Sequence, residues 1–408
     1  MQLTTGEVIR RIRKSLGMTQ TELGGILGYT QPVISQLEHD GAAIHDVRVL
    51  RRIAKALHVP LAILVVESDE EADVNRRNFL RASTFGAGTA MATAAVQQAE
   101  GTTATIWVDA GDVAEINATV NQVHELDLVV GGDRLCRLAA GYVQHVQHLL
   151  DTARYSDDIG RQLTSAAAEM MTAAGWVHYD AGRPEAARRY YADAAQAASA
   201  ADDGFAAAHA LGNASGYMVN RVWGRDNAAS DQLGVQYAQA ASRAALPQGG
   251  PKLRALMALR EAEAHGGRGD KAEMAKAISR AYRAYESARG FDPEWVYLPE
   301  AEISGIIGKA HMWLGDYETA VTHLGEAAER SAAWPRERAS WQLHQAHNLI
   351  HSGEFGQACS LLTENFDAIS DRDSARLQQR FDALADLVRP HARVPEVRDF
   401  LGKVAEKV

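Results

Sequence analysis

The sequence predicts an all-α protein, with a small head of short helices followed by a long stack of helical hairpins. Three observations carry the prediction. Apolar residues recur at three- and four-residue steps along the chain, and strand-like alternation is hard to find beyond Asp109. Capping and turn residues divide residues 5–57 into four short segments. Further on, one pattern of small residues, a turn glycine and an aromatic returns at Gly182, Gly315 and Gly353. With 408 residues the chain exceeds one ordinary core, which stops growing at about 250 residues. We divide it into a head at 1–67, a linker at 68–108 and a repeat body at 109–408.

Composition narrows the function classes. Hydrophobic residues at 46% and charged residues at 23% exclude a wholly disordered or fibrous chain. Cys136 and Cys359 stand far apart without His or Cys at ligand spacing, so neither a disulfide framework nor a zinc finger is expected, and a cytoplasmic location fits. The net charge of −10 would argue against nucleic acid if it were uniform. It is not uniform. Residues 1–66 hold eight basic and five acidic groups, a balance of +3, which leaves −13 for the remainder. A basic head on an acidic body raises the nucleic-acid hypothesis.

In the first segment Val8, Ile9, Ile12 and Leu16 form the apolar face of a helix that Gly17 ends. Thr19 caps the second, with Glu22 three residues on as its capping-box partner, and Leu23, Ile26 and Leu27 are its expected buried face. After Gly28-Tyr29, Thr30 caps a third helix, where Pro32 in the first turn costs no hydrogen bond. A fourth helix from Val47 to Leu57 is expected to bury Val47, Leu50, Ile53, Ala54 and Leu57 and to expose Arg48, Arg51, Arg52 and Lys55.

The run from Met18 through Thr19-Gln20-Thr21-Glu22-Leu23, Leu27-Gly28 and Thr30 to Glu38, completed by Leu50 to Leu57, resembles the helix-turn-helix of the phage repressor/Cro (XRE) family. The resemblance covers nearly all of residues 5–66. It implies that the third helix enters the major groove, with Gln31, Pro32 and Gln36 facing bases, Ser35 on the same exposed face and Thr30 at its start. Gln20 falls where the family contacts phosphate and braces the recognition helix. The chemistry agrees, because a glutamine amide pairs bidentately with adenine. Proline departs from that pattern, offering only apolar surface to a thymine methyl. Glu38 is read as a brace. One head covers few base pairs, so a homodimer on a pseudo-palindromic double-stranded DNA operator is expected.

Residues 67–75 are acidic and polar. Arg76-Arg77-Asn78-Phe79-Leu80 and the uncharged stretch to Ala99 resemble a twin-arginine export signal, but they follow a complete head, and Phe85, Met91 and Val96 are too few large apolar groups to span a bilayer. We read a connector and expect no membrane partner.

In the body, Gly175-Trp176 to Ala187, Gly308 to Ala320 and Ala346 to Ala358 resemble tetratricopeptide units, and weaker copies turn at Gly224 and Gly269. The implied fold is an α-solenoid of tetratricopeptide-like hairpins with 371–405 as terminal cap and a concave inner surface that binds a peptide or small-molecule signal. Counting back from each turn glycine puts Glu169, Trp176, Tyr179 and Asp180, then Met218 and Arg221, Glu263, Glu302, Lys309, Met312, Trp313, His347 and His351 on that surface. Asn213, Asn220 and Asn348 lie one position away, within reach of a peptide backbone. The histidines at 344, 347 and 351, and at 145 and 148, lack the ligands to complete a metal site. The Gly86-Ala87-Gly88 and Gly266-to-Lys271 runs lack the context of a phosphate loop, and no catalytic motif is placed. Neither a cofactor nor an enzymatic activity is expected. The sequence therefore reads as a ligand-responsive transcriptional regulator; the alternative is a DNA-tethered scaffold whose groove holds a partner protein.

Overall fold

The computed structural model describes residues 4–39, 46–64, 106–127, 129–130, 132–220, 228–247, 249–287, 290–293, 295–296, 298–369 and 374–407. Among them every regular element is helical; the exceptions to helix and turn are two isolated bridges, Trp107 to Arg154 and Gly249 to Phe291. No helix among the described residues is long and apolar enough to cross a membrane. The chain forms two compact units, Met1–Ala181 and Gly182–Val408.

The first unit begins with five short helices: α1 (Thr5–Ser15), α2 (Gln20–Leu27), α3 (Gln31–Glu38), α4 (Val47–Ala56) and α5 (Leu61–Leu64). Local chemistry sets their ends. Thr4 with Glu7 and Thr19 with Glu22 each form a complete capping box, so four otherwise orphaned backbone donors are satisfied. Gly17 and Gly28 leave their helices at φ of 68° and 72°, in the left-handed region where glycine carries no Cβ penalty. Thr30 occupies the N-cap of α3, yet its side chain makes no capping hydrogen bond.

Val8, Ile9, Ile12, Leu23, Leu27, Ile34, Leu37, Leu50, Ile53 and Leu57 close the head's core. Three expected core positions are instead exposed: Leu16 (48%), Ile26 (58%) and Val47 (47%). Leu16 is already the C-cap of α1, Val47 is the first residue of α4, and Ile26 turns off the Leu23–Leu27 row that faces the core. Among the described residues three longer helices follow in this unit, α6 (Ala110–Asp127), α7 (Gly132–Thr152) and α8 (Asp157–Asp180), with α8 packed on both of the others and α5 packed on α7.

The second unit runs α9 (Pro184–Ala200), α10 (Gly204–Asn220), α11 (Ala228–Ala245), α12 (Pro251–Gly267), α13 (Lys271–Tyr285), α14 (Glu300–Leu314), α15 (Tyr317–Arg330), α16 (Pro335–His351), α17 (Phe355–Glu364), α18 (Phe366–Ile369), α19 (Ala375–Val388) and α20 (Pro395–Lys407). The pairs α10/α11, α12/α13, α14/α15 and α16/α17 are packed hairpins, and α10, α12, α14 and α16 stack side by side. The turn glycines Gly182, Gly269, Gly315 and Gly353 all stand at φ between 73° and 84°. Gly224, the remaining expected turn, and Arg221 lie outside the described residues, as does the twin-arginine segment. Small residues let the stack close tightly: at Gly266 a Cβ would run into the Ala310 carbonyl of the next hairpin. Phe366, Phe381 and Phe400 meet edge to face, with ring centroids 5.7 to 6.4 Å apart, and close the carboxyl-terminal end.

Candidate functional site

The start of α3 is the best-formed candidate site. Gln31, Pro32, Gln36 and Thr30 are exposed, Ser35 is half-buried, and Ile34 and Leu37 on the opposite face are buried. Gln31 is not loose on this surface. Its Nε2 donates to Gln20 Oε1 at 2.5 Å, and Gln20 Nε2 donates to Glu38 Oε2 at 2.8 Å. Glu38 in turn is gripped by the Arg13 guanidinium, Nε to Oε1 at 2.5 Å and Nη2 to Oε2 at 3.0 Å, while Arg13 Nη1 donates to the Met18 carbonyl. Burial alone would raise the Glu38 carboxyl. The Arg13 and Gln20 hydrogen bonds outweigh burial and hold it below the usual carboxylate value.

The result is an exposed amide held in place from behind. Gln20 and Gln31, singled out from sequence, are therefore directly bonded, and Glu38 is a brace. Sequence reasoning missed two members of this frame. Arg13 is buried, although Gly6, Ile9 and Arg13 already share one i, i+3, i+7 row. Arg52, expected only as an exposed charge, lies 5.0 Å over the Tyr29 ring and donates to the Tyr29 hydroxyl and the Leu27 carbonyl, pinning the turn between α2 and α3.

The repeat-body residues divide differently. In the first unit Trp176 and Tyr179 meet edge to face at 6.0 Å, and Trp176 Nε1 donates to Asp127 Oδ2 at 2.8 Å. In the second unit a buried ionic network crosses three neighbouring helices. Glu263 accepts from Asn220 at 2.7 Å, Arg260 at 3.1 Å and Lys309 at 2.8 Å, and Lys309 lies 5.9 Å over the Trp341 ring. Burial raises the Glu263 carboxyl, but Lys309 and Arg260 more than offset this and keep it low. Burial, with Arg260 close by, lowers Lys309 despite Glu263. Asn213 and Glu302 line a cavity of about 130 Å³ with His209, Met257, Arg260 and Trp295, where His209 stacks flat on Trp295 at 3.8 Å.

Asn348 is fully buried and donates to the His344 carbonyl. His347 is 4.3 Å from His351, which stacks on Tyr317. Burial, then His351 and Arg380, pull His347 down to about 3, so it is neutral at physiological pH. Met218 is buried, and Met312 packs in a hairpin core with Leu324, Ala327 and Trp341; Trp313 borders that core and reaches Val219, Val235 and Ala264. Their spacing marks packing positions as readily as an inner face. Among the described residues no group of three His, Cys, Asp or Glu could hold a metal ion.

Residues 9–64 match the helix-turn-helix family model. No curated protein sequence matches the chain. Among solved structures, the chain is similar to Bacillus thuringiensis PlcR in complex with the peptide PapR7 and DNA, at 12% identity and a TM-score of 0.30, over 93% of this chain and 98% of that one.

Proposed function

We propose that this chain, whose amino-terminal head belongs to the helix-turn-helix family, is a cytoplasmic transcriptional regulator that reads a pseudo-palindromic operator as a homodimer. Its tetratricopeptide-like body binds a peptide or small-molecule signal that modulates operator binding. The observation that carries the reading is the chain of hydrogen bonds from Arg13 through Glu38 and Gln20 to Gln31, which fixes an amide at the exposed start of α3. Such an amide meets adenine N6 and N7 without first paying the entropy of ordering itself. Pro32 beside it offers apolar surface to a thymine methyl, and Gln36 one turn on offers a second amide.

Charge supports the same orientation. The head is +3 and the remainder −13, so phosphate attracts one and repels the other. For the body, the supporting feature is the cavity that Asn213 of α10, Arg260 of α12 and Glu302 of α14 line together with His209 and Trp295. A signal alters operator occupancy only if it binds one body conformation better than another.

The test is operator selection with the purified full chain, followed by Gln31→Ala and Gln36→Ala. Loss of sequence discrimination with low-salt binding retained supports the reading; unchanged discrimination sinks it. Mass spectrometry of species co-purifying from the native host tests the sensor half. A bound peptide or small molecule supports it, and a stoichiometric protein favours a scaffold.

A further inference from the structure

Within the first unit, α7 reaches back to the head through one side chain. Arg134 is buried near the start of α7; its Nη1 donates to the Ile63 carbonyl at 3.0 Å and its Nη2 to Thr5 Oγ1 at 3.3 Å. The Thr5 hydroxyl donates onward to the Leu64 carbonyl at 3.0 Å. Beside this contact, Gln122 of α6 donates from Nε2 to the His58 carbonyl at 3.0 Å, where the chain turns between α4 and α5 at a φ of 54°.

The chemistry suits a fastener. A four-residue helix leaves its carbonyls without intrahelical partners, and arginine's planar fork holds two separate nitrogens at a fixed spacing toward acceptors on two elements, whereas lysine offers one point-like ammonium on a flexible stem. Burying a guanidinium is costly unless it is well bonded. Beyond Thr5, the contact continues by direct packing. A Cβ on Gly6 would lie 2.6 Å from the Leu37 carbonyl oxygen and 2.8 Å from that of Glu38, so the amino end of α1 rests on the carboxyl end of α3. Thr5 and the adjacent Gly6 thus join Arg134 to the helix that carries Gln31 and Gln36.

We propose that Arg134 is a positioning residue that locks the head onto α6 and α7 and so sets the attitude of α3 relative to those two helices. The consequence for DNA rests on the operator reading above: two heads held at a fixed attitude meet two half-sites without paying to order a tether. The lock itself is independent of that reading.

The experiment uses the full chain carrying spin labels at Lys14→Cys and Gln147→Cys, both exposed sites, in the parent, Arg134→Lys, Arg134→Ala and Gln122→Ala/Arg134→Ala backgrounds. The buried native cysteines stay in place. Without DNA, and with labelled chain diluted into excess unlabelled chain so that distances within one protomer dominate, the parent should give one narrow distance distribution that broadens progressively through that series. Amide exchange should quicken in Leu61–Leu64 while Leu23–Leu27 stays protected, showing a head that is released but folded. A distribution as narrow in the double variant as in the parent overturns the proposal, and so does loss of protection throughout the head. Operator affinity should fall about tenfold in Arg134→Ala. If the distribution broadens and no operator is bound by any form, the lock stands and the DNA reading fails.

Discussion

Gln20 Nε2 donates to Glu38 Oε2 at 2.8 Å, so the residue at the start of α2 is bonded to the last residue of α3 while its own Oε1 holds Gln31. One glutamine therefore connects the exposed amide to the buried Arg13–Glu38 pair.

Replacing Gln20 by Ala removes that connection and one hydrogen bond to the buried Glu38, while Arg13 still grips that carboxylate. Gln31 then regains its rotamers, and operator affinity should fall by roughly 0.5–1.5 kcal/mol, the ordering cost of one such side chain. Titration of the variant against cognate and single-mismatch duplexes checks this; an unchanged affinity would show that the bond does not order Gln31.

Glu38 is held below the ordinary carboxylate value in the folded head. A depressed pKa contributes stability above the unfolded value that is lost as pH falls through the folded one. Thermal unfolding of the head should therefore be level above the usual carboxylate range and decline below it. Glu38→Gln should flatten that decline and cost about 3–5 kcal/mol at neutral pH, because Arg13 stays buried without its counter-charge.

In the repeat body, removing one partner of the Glu263–Lys309 pair should be far worse than removing both. Lys309→Met leaves a buried carboxylate beside Arg260 and Asn220, with an expected loss of roughly 3–5 kcal/mol. Combining it with Glu263→Gln should recover much of that. Urea unfolding of the two single variants and the double provides the cycle, and additive losses would contradict a coupled network.

His347 is pulled down to about 3 in the folded state, whereas an unfolded histidine titrates near 6.5. The unfolded chain thus binds the proton first, and stability should fall as pH drops below about 6.5, by up to about 1.4 kcal/mol per unit until the folded value is reached. His347→Gln should lessen that slope. Melting curves between pH 7.5 and 5 would show it.

The sequence was informative wherever the deciding chemistry is local. The capping box at Thr19 and the left-handed glycines at 182, 269, 315 and 353 need only a few neighbouring residues, and they bound the helices where periodicity predicts; the box at Thr4 is equally local, yet the sequence reading passes over it. Periodicity reads faces less well at helix ends, which is why Leu16 and Val47 are exposed. It also cannot separate a groove-facing position from one between hairpins, as Met312 demonstrates. Contacts across long separations carry no local signature. Arg13 with Glu38 spans 25 residues and Arg134 with Thr5 spans 129, and nothing in either neighbourhood names its partner.

The three phenylalanines at the end of the repeat stack have a consequence for association. A solenoid of like units is a growing polymer in miniature, since each hairpin presents the surface on which another could add. Phe366, Phe381 and Phe400 satisfy one another at that terminus, as a chain stopper ends a polymerisation. Ending the protein after Glu364 would strip the stopper and leave α16 and α17 as a reactive face, and such a form should elongate into larger oligomers or aggregate more readily than the full chain.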